Sequence, residues 1–167
     1  MRDFAVHWVD AFTDRPFGGN GCAVVHNAAH LDEDTCTSFV KETSLVECTF
    51  LGPSDIADVR VRYFLASREI PFAGHPTVAS VIAAHAAGLL GTGDLTLETQ
   101  AGVIPVTLSG DGKRVIMRQN APDFGPVVDP ALVAAAIGLR EEDIIAPPQL
   151  VSTGLPFIIT LLRDRMA

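Results

Sequence analysis

Residues 69–90, EIPFAGHPTVASVIAAHAAGLL, decide the fold, because a helix start with glycine and proline stands directly before a long apolar segment. Pro76 suits the first turn of a helix, where its missing N–H has no partner to lose. The pattern predicts a central helix over residues 77–90, ended by Gly88 and the glycines after it. This segment is apolar nearly all round, so the helix is expected to be buried on every side.

Short strand-like segments surround this helix in the sequence. Asp32 is expected to N-cap a separate helix that runs to about Thr43. Alternating and apolar patterns predict strands at residues 3–12, 22–25, 46–51, 57–64, 95–99, 103–109 and 114–117. The fold class predicted is therefore α+β, with a mostly antiparallel sheet or barrel wrapped around one central buried helix.

The predicted organisation has two parts. Residues 1–121 form a first half-domain, and residues 122–167 form a linker followed by the start of a second half-domain that is expected to be truncated. The linker is assigned to residues 122–130 because of their prolines and acidic residues. A short helix over 131–137 and strands at 150–153 and 157–162 are predicted after it.

Composition excludes several functional classes. The chain has 167 residues, of which 48% are hydrophobic and 19% charged, so it is a folded domain rather than a disordered segment. Twelve Lys and Arg against 20 Asp and Glu give a formal charge of −8, without a basic cluster. We therefore expect neither a nucleic-acid nor a membrane partner. The first residues do not have the pattern of a signal peptide, so a cytoplasmic protein is expected.

The cysteines and histidines do not predict a metal site. Cys22, Cys36 and Cys48 are odd in number and lack C-x-x-C spacing, which argues against a disulfide framework and against structural zinc. The five histidines lack the spacing of metal ligands on one helix or strand. No metal is expected.

Two segments carry candidate chemistry. The start of the central helix, at Gly74 and His75, offers free backbone N–H groups to a carboxylate or phosphate, and His75 adds a proton donor. Glu47 stands among apolar neighbours, and desolvation would raise the pKa of its carboxyl toward that of a general acid/base. The alternatives are a plain helix cap for His75 and a solvent-facing strand position for Glu47.

A third candidate is the loop that ends in Gly18, Gly19 and Asn20. The glycines allow close approach of a ligand to the backbone, and Asn20 supplies both a hydrogen-bond donor and an acceptor. An ordinary turn is the alternative. The spacing fits neither a dinucleotide fingerprint nor a P-loop, and no G-x-S-x-G nucleophile elbow is present.

Three ordered segments resemble the PhzF-like phenazine biosynthesis family. They are VDAFTDRPFGGN at residues 9–20, KETSLVECTF at residues 41–50, and RYF at 62–64 followed by EIPFAGHPT at 69–77. The resemblance implies a fold related to diaminopimelate epimerase, in which two pseudo-symmetric halves each wrap a sheet around a central helix. The active site of that fold lies between the halves.

The same resemblance implies a cofactor-independent isomerase that moves a proton on a small unsaturated carboxylic acid in secondary metabolite or antibiotic biosynthesis. It assigns catalytic roles to Glu47 and His75. It assigns substrate binding to Gly19, Asn20, Gly74 and Pro76. The expected partners are a small-molecule carboxylate and a second copy of the chain, because a homodimer can imitate the missing second half.

Departures from the family pattern leave the substrate open. Val46, Cys48 and Gly21 differ from the usual residues, and Ala73 stands where related two-thiol racemases carry a cysteine. A full family member is nearly twice as long, and its second half contributes an aspartate. Two alternatives therefore stay open: a non-catalytic binding or assembly protein with the same fold, and an epimerase or lyase that depends on Cys48.

Overall fold

The computed structural model describes residues 3–165 and divides them into two compact units, the first ending at Arg118 and the second beginning at Gln119. The first unit contains β1 Val6–Ala11, β2 Asn20–Val25, α1 Glu33–Thr43, β3 Cys48–Gly52, β4 Val59–Phe64, β5 Glu69–Ile70, α2 Gly74–Ala86, β6 Gly93–Thr99, β7 Gly102–Leu108 and β8 Val115–Met117.

One curled sheet organises the first unit. Its strand order is β1-β2-β3-β4-β6-β7-β8, and β5 pairs with β4. The pairs β2–β3 and β4–β6 are parallel, whereas the remaining pairs are antiparallel. The predicted α+β class with a mostly antiparallel sheet is thus confirmed for this unit.

Helix α2 packs against strands from both ends of the strand order, including β1, β2 and β8. The helix begins at Gly74 and ends at Ala86, so the predicted bounds of 77–90 were wrong at both ends. Gly74 and His75 take helical geometry ahead of Pro76. At the other end, Gly88 has a φ of 72° and donates its N–H to the His85 carbonyl, which turns the chain out of the helix.

The expectation that α2 is buried on every side was also wrong. Ala79, Val81 and Ala84 are fully buried, but Val78 and Ile82, which are four residues apart on one face, remain partly exposed. Together with residues 9–14 and 112–115 they line a groove of about 530 Å³. The sheet therefore leaves one stripe of the helix uncovered.

The second unit is a small sheet with one helix, built from β9 Asp123–Val127, α3 Pro130–Ile137, a 3-10 turn Glu141–Asp143, β10 Gln149–Ser152 and β11 Pro156–Ile159. Its strand order is β11-β10-β9, and both pairs are antiparallel. The linker predicted over 122–130 was wrong, since most of it forms β9. Pro126 fits there because β9 is an edge strand, where a missing N–H is tolerated.

Within residues 3–165, the structure contains no helix that is both long enough and apolar enough to cross a membrane.

Candidate active site

Glu47 lies on the short link between α1 and β3. Helix α1 begins as predicted, because Asp32 accepts a hydrogen bond from the Thr35 N–H at 2.7 Å. It ends at Thr43, and the C-cap residue Ser44 has a φ of 57°, a left-handed conformation that cannot continue the helix. The link then reaches Glu47 one residue before β3 begins at Cys48. The Glu47 side chain is only 15% exposed.

His75 faces Glu47 from the first turn of α2. Its Nδ1 lies 3.4 Å from Oε2 of Glu47, and its side chain is 10% exposed. The other ring nitrogen, Nε2, is buried without a hydrogen-bond partner. The structure thus brings together the two predicted catalytic residues, which are 28 positions apart in the chain.

Burial shifts the pKa values of the two groups toward each other. It raises the pKa of the Glu47 carboxyl and lowers the pKa of the His75 imidazole, although the nearby backbone of Gly21 partly opposes the second shift. Although a distance of 3.4 Å is within ion-pair range, a lowered pKa favours a neutral imidazole near pH 7. We therefore describe the contact as a carboxyl group beside a neutral histidine.

The start of α2 is open to a ligand. The N-cap residue, Ala73, makes no side-chain hydrogen bond to the helix, and Pro76 has no N–H to offer. The backbone N–H groups of Gly74 and His75 are therefore available to an outside acceptor. A Cβ built on Gly74 would meet nothing within 4 Å, so there is free space beside its Cα. Pro76 itself is buried.

Gly19 and Asn20, the loop residues predicted to bind the substrate, lie where their loop joins β2. Asn20 is exposed at the first position of β2, opposite Ala11. Gly19 precedes it, and a Cβ there would clash with the Ala11 carbonyl oxygen, so close packing of two strands is a sufficient reason for this glycine. The neighbouring residue Gly21 interacts with the candidate catalytic pair, because its backbone lies close to the His75 ring.

Cys48 is a poor candidate nucleophile. It is fully buried, and burial raises the pKa of its thiol despite a hydrogen bond with Thr43. A reactive cysteine needs the opposite, a lowered pKa and access for the substrate. The described part of the chain also contains no cluster of three or more metal-ligating side chains.

Sequence reasoning missed a set of buried hydroxyl groups beneath the site. Tyr63, Thr77, Thr49 and Ser80 are each at most 1% exposed. The Tyr63 and Thr77 oxygens lie 2.7 Å apart, and Ser80 donates to Thr49 at 2.9 Å. In the sequence, the signal for this set was that Thr77 and Ser80 are hydroxyl residues in an otherwise apolar helix. Only the fold shows which strand residues they contact.

Comparison with known proteins gives one family. The profile of the family described as phenazine biosynthesis-like protein matches residues 9–167. The chain is 39% identical over 170 residues to a protein of Escherichia coli O157:H7 named uncharacterized isomerase YddE; the match covers 96% of the chain and 57% of that protein. A second relative, the trans-2,3-dihydro-3-hydroxyanthranilate isomerase of Pseudomonas aeruginosa, is 37% identical over 79% of the chain and 48% of its own length.

A solved structure agrees with this family. The crystal structure of the Bacillus anthracis phenazine biosynthesis protein, PhzF family, matches with a TM-score of 0.80 and 32% identity, covering 98% of the chain and 57% of the solved one. This likeness confirms the expected diaminopimelate epimerase-like fold. The chain spans about half the length of these relatives, between 48% and 57%.

Proposed function

Because the chain belongs to the phenazine biosynthesis-like protein family, we propose that it carries the Glu47 side of an isomerase active site that moves a proton on a small unsaturated carboxylic acid. The observation that carries the proposal is the contact between the Glu47 carboxyl and the His75 ring at 3.4 Å, at the open start of α2. Both side chains are largely shielded from water, and such burial moves the pKa of a carboxyl toward neutral pH, where general acid/base catalysis works best.

In the proposed reaction, Glu47 is the general acid/base. Its carboxylate removes a proton from one carbon of an allylic system and, as a carboxylic acid, returns a proton to another carbon. The double bond moves between these two steps, no electron leaves the substrate, and Glu47 ends in its starting state. The raised pKa of Glu47 serves both steps, because the group must accept and release a proton with similar ease.

The substrate carboxylate binds at the start of α2 in this proposal. The amide groups of Gly74 and His75 donate to it, and the positive end of the helix dipole favours it. This local attraction has to overcome the formal charge of −8 on the chain. Asn20, Gly19 and Pro76 are proposed to shape the approach to the same site.

The proposed substrate class is based on the relative whose substrate is named. Since one relative is a trans-2,3-dihydro-3-hydroxyanthranilate isomerase, we propose a cyclic, unsaturated carboxylate of similar size from secondary metabolism. The chain is proposed to act without a cofactor and as a homodimer, in which a second copy takes the place of the second half. Light scattering that shows a stable monomer at micromolar concentration would contradict the dimer without affecting the assignment of Glu47.

Solvent deuterium exchange tests the function. The full-length protein is mixed with trans-2,3-dihydro-3-hydroxyanthranilate in deuterium oxide, and incorporation into carbon positions is followed by NMR. We expect Glu47→Gln to reduce exchange by about 100-fold or more, with an unchanged circular dichroism spectrum. Glu42→Gln, at an exposed position of α1, is the matched control and should keep parental exchange.

Two outcomes would overturn the proposal. Parental exchange in Glu47→Gln would remove Glu47 from the chemistry. Binding of the carboxylate without any exchange in the parent protein, over a panel of cyclic unsaturated acids, would favour the non-catalytic binding protein instead.

A further inference from the structure

Beneath the helix start, a short hydrogen-bond chain leads from strand β4 to the amide that the proposed function assigns to the substrate. Thr77 donates its hydroxyl proton to the Ala73 carbonyl at 2.6 Å. Because that hydroxyl has only one proton, its contact with Tyr63 at 2.7 Å must use a lone pair. Tyr63 is therefore the donor in this pair, and the chain runs from Tyr63 through Thr77 to Ala73.

The Ala73 carbonyl and the Gly74 N–H belong to the same planar peptide group. In the helical pattern this carbonyl also accepts the backbone N–H of Thr77, as an N-cap carbonyl does. Because both lone pairs of the Ala73 carbonyl oxygen accept hydrogen bonds, the orientation of the Ala73–Gly74 peptide plane is fixed. Because the Gly74 N–H lies in the same plane, its direction is then fixed as well. A Cβ at Gly74 would meet nothing within 4 Å, so there is room for a ligand next to this residue.

We propose that Tyr63 and Thr77 are positioning residues: through the Ala73–Gly74 peptide they hold and polarise the Gly74 N–H for the carboxylate of the bound substrate. The inference rests on the proposed function and deepens it. Hydrogen bonding to a carbonyl strengthens the N–H of the same peptide as a donor, since chains of hydrogen bonds polarise one another in a low-dielectric interior.

Burial makes this chain persistent. Tyr63 and Thr77 are fully buried and Ala73 is 4% exposed, so water does not compete for their hydrogen bonds. Burial also raises the pKa of the Tyr63 phenol, which keeps its proton available for donation. The Tyr63 ring packs edge-on against Phe72 at 6.1 Å between centroids, and this contact is independent of the hydroxyl. Removing only the Tyr63 oxygen therefore changes the hydrogen bond but leaves the ring packing in place.

The first measurement does not depend on catalysis. In full-length protein labelled with 15N-glycine, the Gly74 amide resonance is assigned by its loss in Gly74→Ala. We expect Tyr63→Phe and Thr77→Val to shift this amide proton upfield, because its peptide is less polarised. Thr77→Ser keeps the hydroxyl and should restore the parental position. Ser80→Ala is the matched control, since it removes a buried α2 hydroxyl whose acceptor is Thr49.

The second measurement is binding of 3-hydroxyanthranilate, a stable cyclic carboxylate, followed by titration calorimetry. Tyr63→Phe and Thr77→Val should raise its Kd by about three- to tenfold, the scale of a partly weakened hydrogen bond to a charged group, while Thr77→Ser and Ser80→Ala stay near the parental value. In the exchange assay the same two variants should raise KM by a similar factor and change kcat little.

An unchanged Gly74 resonance and unchanged Kd in Tyr63→Phe and Thr77→Val would overturn the inference. A general loss of folding in Thr77→Val is separated from this by Tyr63→Phe, in which only one atom is removed. Failure of the proposed function has a different signature: the parent protein then neither binds the probe nor exchanges protons, although the Gly74 resonance still responds to both substitutions.

Discussion

Gly74→Ala is expected to separate stability from ligand binding. Gly74 is the first residue of α2, its φ is outside the left-handed region, and a Cβ would meet nothing within 4 Å. Alanine at such a position gains about 0.4–1 kcal/mol, chiefly because it restricts the unfolded chain. For a protein of this size the gain corresponds to an increase in Tm of about 1–4 °C.

The same methyl group would occupy the space proposed for the substrate carboxylate. Displacing a ligand by about one methyl group in a fitted site costs at least tenfold in affinity, so we expect the Kd for 3-hydroxyanthranilate to rise by about tenfold or more. Thermal unfolding by circular dichroism gives the first quantity, and titration calorimetry gives the second.

Gly19→Ala is the matched comparison. Its Cβ would clash with the Ala11 carbonyl oxygen of the neighbouring strand, and overpacking of this kind costs about 1–3 kcal/mol. Gly19→Ala should therefore lower Tm, whereas Gly74→Ala should not. A marked decrease in Tm for Gly74→Ala would show that the glycine is structural. Parental affinity in that variant would refute the placement of the carboxylate.

Three further predictions concern other parts of the first unit. Burial raises the pKa of Glu47, so the parent loses stability as its carboxyl ionises with rising pH. In urea unfolding, the stability of Glu47→Gln relative to the parent should therefore increase as the pH rises above about 4, until Glu47 of the folded parent is ionised. A pH-independent difference would contradict this. Cys48→Ala should keep the exchange activity, and the native thiol should resist iodoacetamide, because Cys48 is buried and its pKa is raised; inactivation by alkylation in the folded protein would reverse this conclusion. Arg62→Met should lower the free energy of unfolding by about 3–5 kcal/mol in urea, since it leaves the largely buried Glu69 without its partner at 2.7 Å. Arg60 is half-exposed, so Arg60→Met should lower it by less than about 1 kcal/mol. Equal losses would show that burial is not the cause.

The sequence predicted those parts of the fold whose signals are local. The Asp32 cap determined the start of α1, and Gly138, with a φ of 74°, ended α3 as expected. Residues 122–130 were misassigned because proline is usually read as a break. That reading fails at a sheet edge, and whether a strand lies at an edge depends on its partners, which are distant in sequence.

The residues of the candidate site were predicted from a different kind of signal. Glu47 and His75 were recognised through ordered motifs of a family and through simple arguments on desolvation and helix starts. Their separation of 3.4 Å was not predictable, because it depends on how β3 and α2 pack. Similarly, the apolar sequence of α2 predicts burial, but only the strand order shows that Val78 and Ile82 face a gap.

The pair of groups at the site is more informative than either group alone. An ion pair would lower the pKa of Glu47 and raise that of His75, and so move the two values apart. Burial does the reverse at both residues, because it disfavours the charged form of each. The ordinary values of about 4.3 and 6.5 therefore approach each other. The closer two proton affinities lie, the less it costs to move a proton between the groups, and a proton-transfer site needs this whereas a purely structural salt bridge does not. The cost in stability of keeping both groups away from water is thus expected at a functional site rather than in a packed core.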